Sequence, residues 1–232
     1  MPHPPTIRAF ELRHLQLARA FFAVVAAIMI TFSADHSASV GLAVFSGFAI
    51  ATALVLFLAA WLVFPSGGRA VPITLGAVTV AAGMVAGIPG LRTTEVFFVL
   101  LVSWALVTGL IEAVAGFRRM RASGSGTLAR AEARDSLTVG VITVLLGLGL
   151  LLVPARYALQ YYIQEAGQSF TLTGIAIGVG LFGGYAAIIG VYLAIAAFTP
   201  RPQVTPPAAQ HEPPPRIAAD TSAASSTREG SP

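Results

Sequence analysis

The sequence predicts an all-α protein that crosses a membrane six times, and three observations support this fold class. Hydrophobic residues make up 56% of the 232 residues and charged residues only 10%, whereas soluble domains carry about 25% charged residues. The apolar residues fall into six runs, each near the roughly 20 residues that a helix needs to cross a bilayer. These runs are apolar on all sides and do not alternate with period two, which argues against membrane strands.

The six runs are joined mostly by short spacers, so consecutive helices must form antiparallel hairpins. A leader, residues 1–15, precedes them, and a tail, residues 199–232, follows. The tail is rich in Pro, Ala and Ser, so it cannot bury enough apolar surface to offset its ordering entropy and we predict it to be disordered. The transmembrane domain, residues 16–198, contains spans at about 16–34, 39–64, 70–89, 95–117, 136–154 and 170–198.

The arginines predict the orientation of these spans. The chain has 14 arginines and no lysine, and with the N-terminus inside only Arg92 and Arg156 fall in outer loops. Because basic residues accumulate in cytoplasmic loops, we predict that both termini are cytoplasmic and that the protein lies in the bacterial cytoplasmic (inner) membrane. The alternative for the first run is a cleavable signal peptide, although its leader is long.

The same distribution explains the pI near 10.1 without a nucleic-acid partner, which would require a clustered basic face on a folded domain. The predicted partner is the lipid bilayer. A homo-oligomer and a second envelope protein, bound through the outer loop "YALQYYIQEAG", both remain open. We place Tyr157, Tyr161 and Tyr162 in an interfacial aromatic belt on that outer side.

A repeat underlies the six spans. "GAVTVAAG" at 76–83 and "GVITVLLG" at 140–147 share G-x-x-T-V-x-x-G, and "ARAFFAVVAA" at 18–27 is a weaker copy with alanines for glycines. The following helices also resemble each other, since "TGLIEAVAGF" at 108–117 parallels "IGVYLAIAAF" at 189–198. We infer a two-helix hairpin repeated three times.

The glycines are interpreted as packing residues. "GVGLFG" at 178–183 formally matches the dinucleotide fingerprint GxGxxG, but that fingerprint needs free N–H groups between a strand and a helix. Here the glycines lie inside an apolar run, so no nucleotide cofactor is predicted. Small-xxx-small spacings let membrane helices approach closely, and we assign this role to Gly83, Gly87, Gly174, Gly178, Gly180 and Gly184.

Glu112 is the one carboxylate inside its apolar run, about 7 Å from the arginine-rich end of that run at 1.5 Å per residue. A charge at that depth is costly, so the carboxylate must be neutral, hydrated or paired. Helical spacing places Thr108 and Arg119 on the same stripe, and these three residues form the candidate intramembrane polar site. The predicted partner of the carboxylate is Arg119, with Arg19 and Arg69 as alternatives.

Two roles for Glu112 are open: a polar clamp between helices, and a contact in a transport pathway that includes Thr108, Thr79 and Thr143. In the repeat, Leu193 occupies the place of Glu112, so the carboxylate belongs to one copy. An enzyme is not predicted, because the chain has no cysteine and its four histidines lie in the leader, an outer loop and the tail. No catalytic, metal or cofactor constellation is visible.

The G-x-x-T-V openings and "SWALVTGLIEAVAGFRRMR" resemble the HdeD-type family of short-repeat bacterial membrane proteins. Where that family has Gly-x-x-(Glu/Gln) and an Arg-x-Arg exit, this chain has Gly109, Glu112, Arg119 and Arg121. The resemblance covers residues 16–198 and is weakest in the first hairpin. It implies a non-enzymatic envelope protein linked to acid resistance and stress response, and it supplies no catalytic residue.

Overall fold

The computed structural model describes residues 12–63, 66–122, 127–164 and 167–199. Within these ranges it contains six helices that are long and apolar enough to cross a membrane, which confirms the predicted all-α membrane fold. The tail from residue 200 and the leader up to residue 11 lie outside the described residues. The helices are α1 Leu12–Thr31, α2 Ala38–Leu62, α3 Ala70–Gly87, α4 Thr94–Ala122, α5 Thr127–Leu151 and α6 Gly174–Phe198.

Several helices differ from the apolar spans at the arginine-rich end of the bundle. The first helix begins at Leu12, inside the predicted leader, while α4 continues to Ala122 and α5 already begins at Thr127. Hydropathy locates the edge of the hydrocarbon, whereas a helix continues as long as its backbone hydrogen bonds continue. These charged turns therefore extend the helices beyond the apolar core.

The opposite ends of the helices have local causes. Ser37 and Thr173 cap the first turns of α2 and α6, because their hydroxyl oxygens accept hydrogen bonds from backbone N–H groups three residues later. Arg92 donates two hydrogen bonds to the carbonyls of Ala86 and Gly87 at the end of α3. The guanidinium thus satisfies carbonyls that lack an intrahelical partner.

A β-hairpin occupies the segment between α5 and α6 that we predicted to be a loop. Strand β1, Ala158–Ile163, pairs antiparallel with β2, Gln168–Thr173, in the register Ala158↔Thr173 to Ile163↔Gln168. Gly167 has a φ of 61° in the turn, a value that favours glycine. The prediction without strands is wrong here because these short segments, rich in aromatic and β-branched residues, were assigned to a loop and to the start of an apolar run.

The six helices form a ring in chain order. Each helix contacts its neighbours in sequence, and α1 closes the ring by packing along α6. The most extensive contacts are α4 with α5, α1 with α6 and α2 with α3, so they join consecutive hairpins and do not lie within one hairpin. Helices α1 and α4 consequently stand on opposite sides of the ring.

The helix bounds extend the repeat to the first hairpin, whose sequence matches least. The first helix ends at Thr31 and the second begins at Ala38; the same two events recur 56 residues later, at Gly87 and Thr94. The spacing between the two helices is therefore identical in the first two units. Residues 56 positions apart are equivalent in these units, even where their side chains share no similarity.

The third unit is longer by the β-hairpin. Helix α5 ends at Leu151, 64 residues after the end of α3, whereas α6 begins at Gly174, 80 residues after the start of α4. The 16 extra residues match the length of Ala158–Thr173. The hairpin is thus an insertion into one copy of a helical unit.

Close helix packing concentrates at glycines that face another helix. A Cβ atom built on Gly109 would lie 2.8 Å from the backbone N of Val144, and one on Gly140 would collide with the backbone of Ala113. Among the glycines assigned by spacing, Gly83 faces Ala49, Gly87 faces Ser46, Gly174 faces the Pro154 carbonyl and Gly178 faces Phe97 and Phe98. Small residues at these sites let the backbones approach.

Gly180 and Gly184 lie on the outer face of α6. Both are exposed, and no atom of the described residues lies within 4 Å of a Cβ built on either one. The glycines of α6 that pack against α1 are Gly183 and Gly190, which face Ile30 and Val24. Since α6 is apolar on every side, spacing alone did not distinguish the two faces.

We expect Gly140→Ala to lower stability by about 1–3 kcal/mol, because the new methyl group would overlap the backbone of α4 and force the two helices apart. Thermal unfolding of the purified protein in detergent measures the change. Gly184→Ala is the matched control, and it should leave stability unchanged or raised, since alanine favours the helix. Equal loss in both variants would contradict the assignment of the α4–α5 contact.

Candidate functional site

Two cavities lie between the helices and meet at a shared wall. The central cavity has a volume of about 30 Å³, and the arginine-side cavity, nearer the arginine-rich end, has a volume of about 90 Å³. The residues that line both are Arg19, Leu56, Leu75, Glu112 and Leu193. Glu112 and Arg19 therefore separate two polar spaces inside the bundle.

Equivalent positions of the three units converge on these cavities. Glu112 and its repeat counterpart Leu193 are joined by Leu56, which precedes Glu112 by the 56-residue spacing of the first two units. Moving one helical turn at a time away from this level, the next lining residues are Thr52, Thr108 and Ile189, and then Phe48, Trp104 and Tyr185. Each level thus receives one side chain from each unit.

The ion pair is built at a level that is otherwise apolar. Arg19 Nη1 lies 3.2 Å from Glu112 Oε1, and their side chains are 17% and 11% exposed. The counterparts of Glu112 are the two leucines named above, and the counterparts of Arg19 are Leu75 and Val139. Because α1 and α4 are on opposite sides of the ring, this pair crosses the axis of the bundle.

Arg19 is one of the three partners that the sequence left open. Arg119 lines the arginine-side cavity, and Arg69 lies at the N-terminal end of α3. Thr108, the third residue of the predicted site, is buried and lines the central cavity, where its hydroxyl donates a 2.6 Å hydrogen bond to the Trp104 carbonyl. The predicted stripe of α4 therefore faces the axis.

The threonine of the G-x-x-T-V motif has a defined partner in each unit that contains it. Thr79 accepts a 3.2 Å hydrogen bond from Trp104 Nε1, and Thr143 lies 3.0 Å from the hydroxyl of Tyr185. Since Thr143 donates its own hydrogen to the Val139 carbonyl, Tyr185 must be the donor. Each motif threonine thus joins the two helices of its own unit.

In the first unit both members of this pair are apolar. Ala23 takes the place of the threonine, and Phe48 takes the place of the aromatic donor. Replacing both partners together leaves no unsatisfied donor or acceptor. The alanine of the weak first motif copy is therefore explained by its partner and does not mark a break in the repeat.

Aromatic residues close the end of the axis that lies away from the arginines. Phe45, Leu101 and Phe182 are fully buried, and the ring centroids of Phe45 and Phe182 are 5.5 Å apart. One turn further, Phe97 occupies a level at which the other two units have Gly41 and Gly178, and it would contact a Cβ atom at either glycine. One phenyl ring fills the space that three units share.

The arginine-side cavity carries a second polar cluster centred on Asp135. Its carboxylate accepts hydrogen bonds from Gln16 Nε2 at 3.2 Å and from the Tyr192 hydroxyl at 3.0 Å. Ser136 donates to the backbone carbonyl of Glu112 at 3.2 Å. Polar groups thus continue from the arginine-rich end of the bundle to the ion pair.

Sequence reasoning did not identify Thr52, Asp135, Gln16 or Tyr185 as site residues. Asp135 lies just outside the span predicted to start at residue 136, and Tyr185 lies in an apolar helix without a polar stripe. The 56-residue spacing between units was the available signal for Thr52, since it makes this residue the counterpart of Thr108. That spacing becomes visible only when the helix bounds are known.

The sequence matches no protein-family model. Comparison with curated proteins found no match, and comparison with solved structures found none either.

We expect Arg19→Leu and Glu112→Leu, made singly, each to lower stability by about 3–5 kcal/mol, because each leaves an uncompensated charge in the bundle. The double variant Arg19→Leu/Glu112→Leu reproduces the apolar residues of the other units and should recover to within about 1 kcal/mol of the parent. Thermal unfolding in detergent gives all three values. Additive losses in the double variant would show that the two residues act independently.

Proposed function

We propose that this protein is a small transporter or channel whose pathway runs along the bundle axis and passes Glu112. The observation that carries the proposal is the position of the Arg19–Glu112 pair, which separates two polar-lined cavities at a level where the other units supply only Leu and Val. Ionisable residues inside a membrane commonly mark substrate or ion pathways and face the interior of the bundle.

The arrangement corresponds to a closed state of such a pathway. The arginine-side cavity reaches the pair from one end, and the layer of Phe45, Leu101 and Phe182 closes the other end. Separating Arg19 from Glu112 would connect the two cavities. The arginine distribution favours an open cavity on the cytoplasmic side of a bacterial inner membrane, as the positive-inside rule requires.

A second candidate function is a non-enzymatic envelope protein of the HdeD type, related to acid stress, in which the ion pair only clamps α1 to α4. The observation that favours it is the closed geometry: the pair has a 3.2 Å contact and the adjoining central cavity is small. In this alternative, protonation of Glu112 in acid would loosen the clamp. No solute would pass.

Glu112→Gln separates the two functions. We expect it to lower flux of the transported species in proteoliposomes by about tenfold or more, since a hydrogen bond to a charged group contributes about 1.5–3 kcal/mol. Glu95→Gln is the matched control, because Glu95 is an exposed residue in the first turn of the same helix. The assay follows protons, potassium, chloride and glycerol in separate preparations.

Equal flux in the Glu112→Gln variant and the parent would rule out the transport function. Acid survival of cells that produce each variant, at matched protein level, measures the second function in parallel. Survival that falls with the Glu112→Gln substitution while no probe crosses the membrane in the parent would favour the clamp.

A further inference from the structure

The volume of the central cavity limits what can occupy it. A cavity of this kind needs about 10–15 Å³ to hold one water molecule, so the volume of about 30 Å³ has room for about two. Glycerol, an amino acid or a hydrated metal ion would not fit between Trp104, Tyr185 and Glu112. Water is the occupant whose size matches.

The hydroxyl of Thr52 supplies an independent sign of such an occupant. Thr52 lines the central cavity and is 6% exposed, yet its Oγ1 has no hydrogen-bond partner among the described residues. Its counterpart Thr108 donates to the carbonyl four residues earlier. A buried polar group without a partner costs about 1–3 kcal/mol, so the hydroxyl of Thr52 requires a partner in the cavity.

The other groups around the cavity complete the hydrogen bonds of a water molecule. A buried water usually makes about three hydrogen bonds. Thr52 can donate or accept, the Glu112 carboxylate accepts, and Thr108, having donated its hydrogen to Trp104, also accepts. A water molecule between them would satisfy Thr52 and touch the carboxylate from the side opposite the arginine-side cavity.

We propose that water held by Thr52 in the central cavity exchanges protons with Glu112, and that the proton is the species carried along the axis. This inference rests on the proposed pathway and names its substrate. Water from the arginine-side cavity reaches the same carboxylate from the other side. Thr52 acts as a positioning residue, because it holds the water and does not itself take up the proton.

The proton step needs no other reactant. A hydronium ion at the arginine-side cavity gives its proton to Glu112, so that an O–H bond forms on the carboxylate as one O–H bond of the hydronium breaks and water remains. The neutral carboxyl group no longer attracts Arg19, which stays protonated because an arginine side chain does not lose its proton in proteins. The carboxyl group then releases the proton to the water at Thr52.

Charged and titratable groups near Glu112 come from three other helices and from α4 itself. They tune the step, because Asp135 and Glu132 favour an arriving proton while Arg19 and Arg119 oppose it. The side chains of α2 and α3 that line the cavities at this level, Leu56 and Leu75, carry no charge. The full set consists of Arg19 from α1, Arg119 from α4, Glu132 and Asp135 from α5 and Tyr185 from α6.

Proton flux into liposomes containing the full chain tests the inference. The liposomes hold a pH-sensitive dye, and potassium with valinomycin sets the membrane potential. Thr52→Val keeps the shape of the side chain and removes its hydroxyl, so we expect proton flux to fall by about three- to tenfold, the effect of one hydrogen bond. Thr52→Ser keeps the hydroxyl and should retain the flux of the parent.

Thermal unfolding of both variants shows whether they are folded, and only folded variants that insert equally are compared. Proton flux in Thr52→Val equal to that of the parent would overturn the role of the water. A parent that carries potassium, chloride or glycerol but no protons would overturn the choice of the proton and leave the proposed pathway standing. A parent that carries none of the four would overturn both.

Discussion

The space along the axis of the bundle is shared by three units, and this constraint shapes the whole interior. Each level receives one side chain from every unit, so a large residue from one unit requires small residues from the others. Phe97 packs where Gly41 and Gly178 leave room for one ring. Protein interiors are packed too densely to accept three such rings, so the units had to differ at the axis even though their helices follow the same plan.

The same constraint applies to polarity. Arg19 and Glu112 come from different units and meet across the axis, while the remaining positions at their levels are Leu or Val. Two such pairs would place four charges in a space with little water, where the cost of desolvation exceeds the gain from attraction. A threefold scaffold therefore carries its chemistry in single copies, and the hydrogen-bonded threonines of the second and third units hold the surrounding helices in place.

The membrane spans were predictable because lipid imposes one rule on the whole segment: every backbone group must be satisfied internally, which an apolar helix achieves. The ends of α1, α4 and α5 were less predictable, since a helix continues into water after its apolar run has ended. The β-hairpin was missed because it lies outside that rule, in a segment whose strands depend on each other for pairing. Thr108 and Glu112 were predictable as one stripe, because residues four apart lie on one face of a helix.

The order of the residues was enough to establish that six apolar helices cross a membrane, that their unit is a hairpin repeated three times, and that Glu112 needs a partner. Folding in three dimensions selected Arg19 as that partner, although it is 93 residues away in the chain. Folding also selected Gly183 and Gly190 to pack against α1 while Gly180 and Gly184 face outwards. The reason is that a helix that is apolar on every side does not encode which face is inward. That choice is made by the helices packed around it.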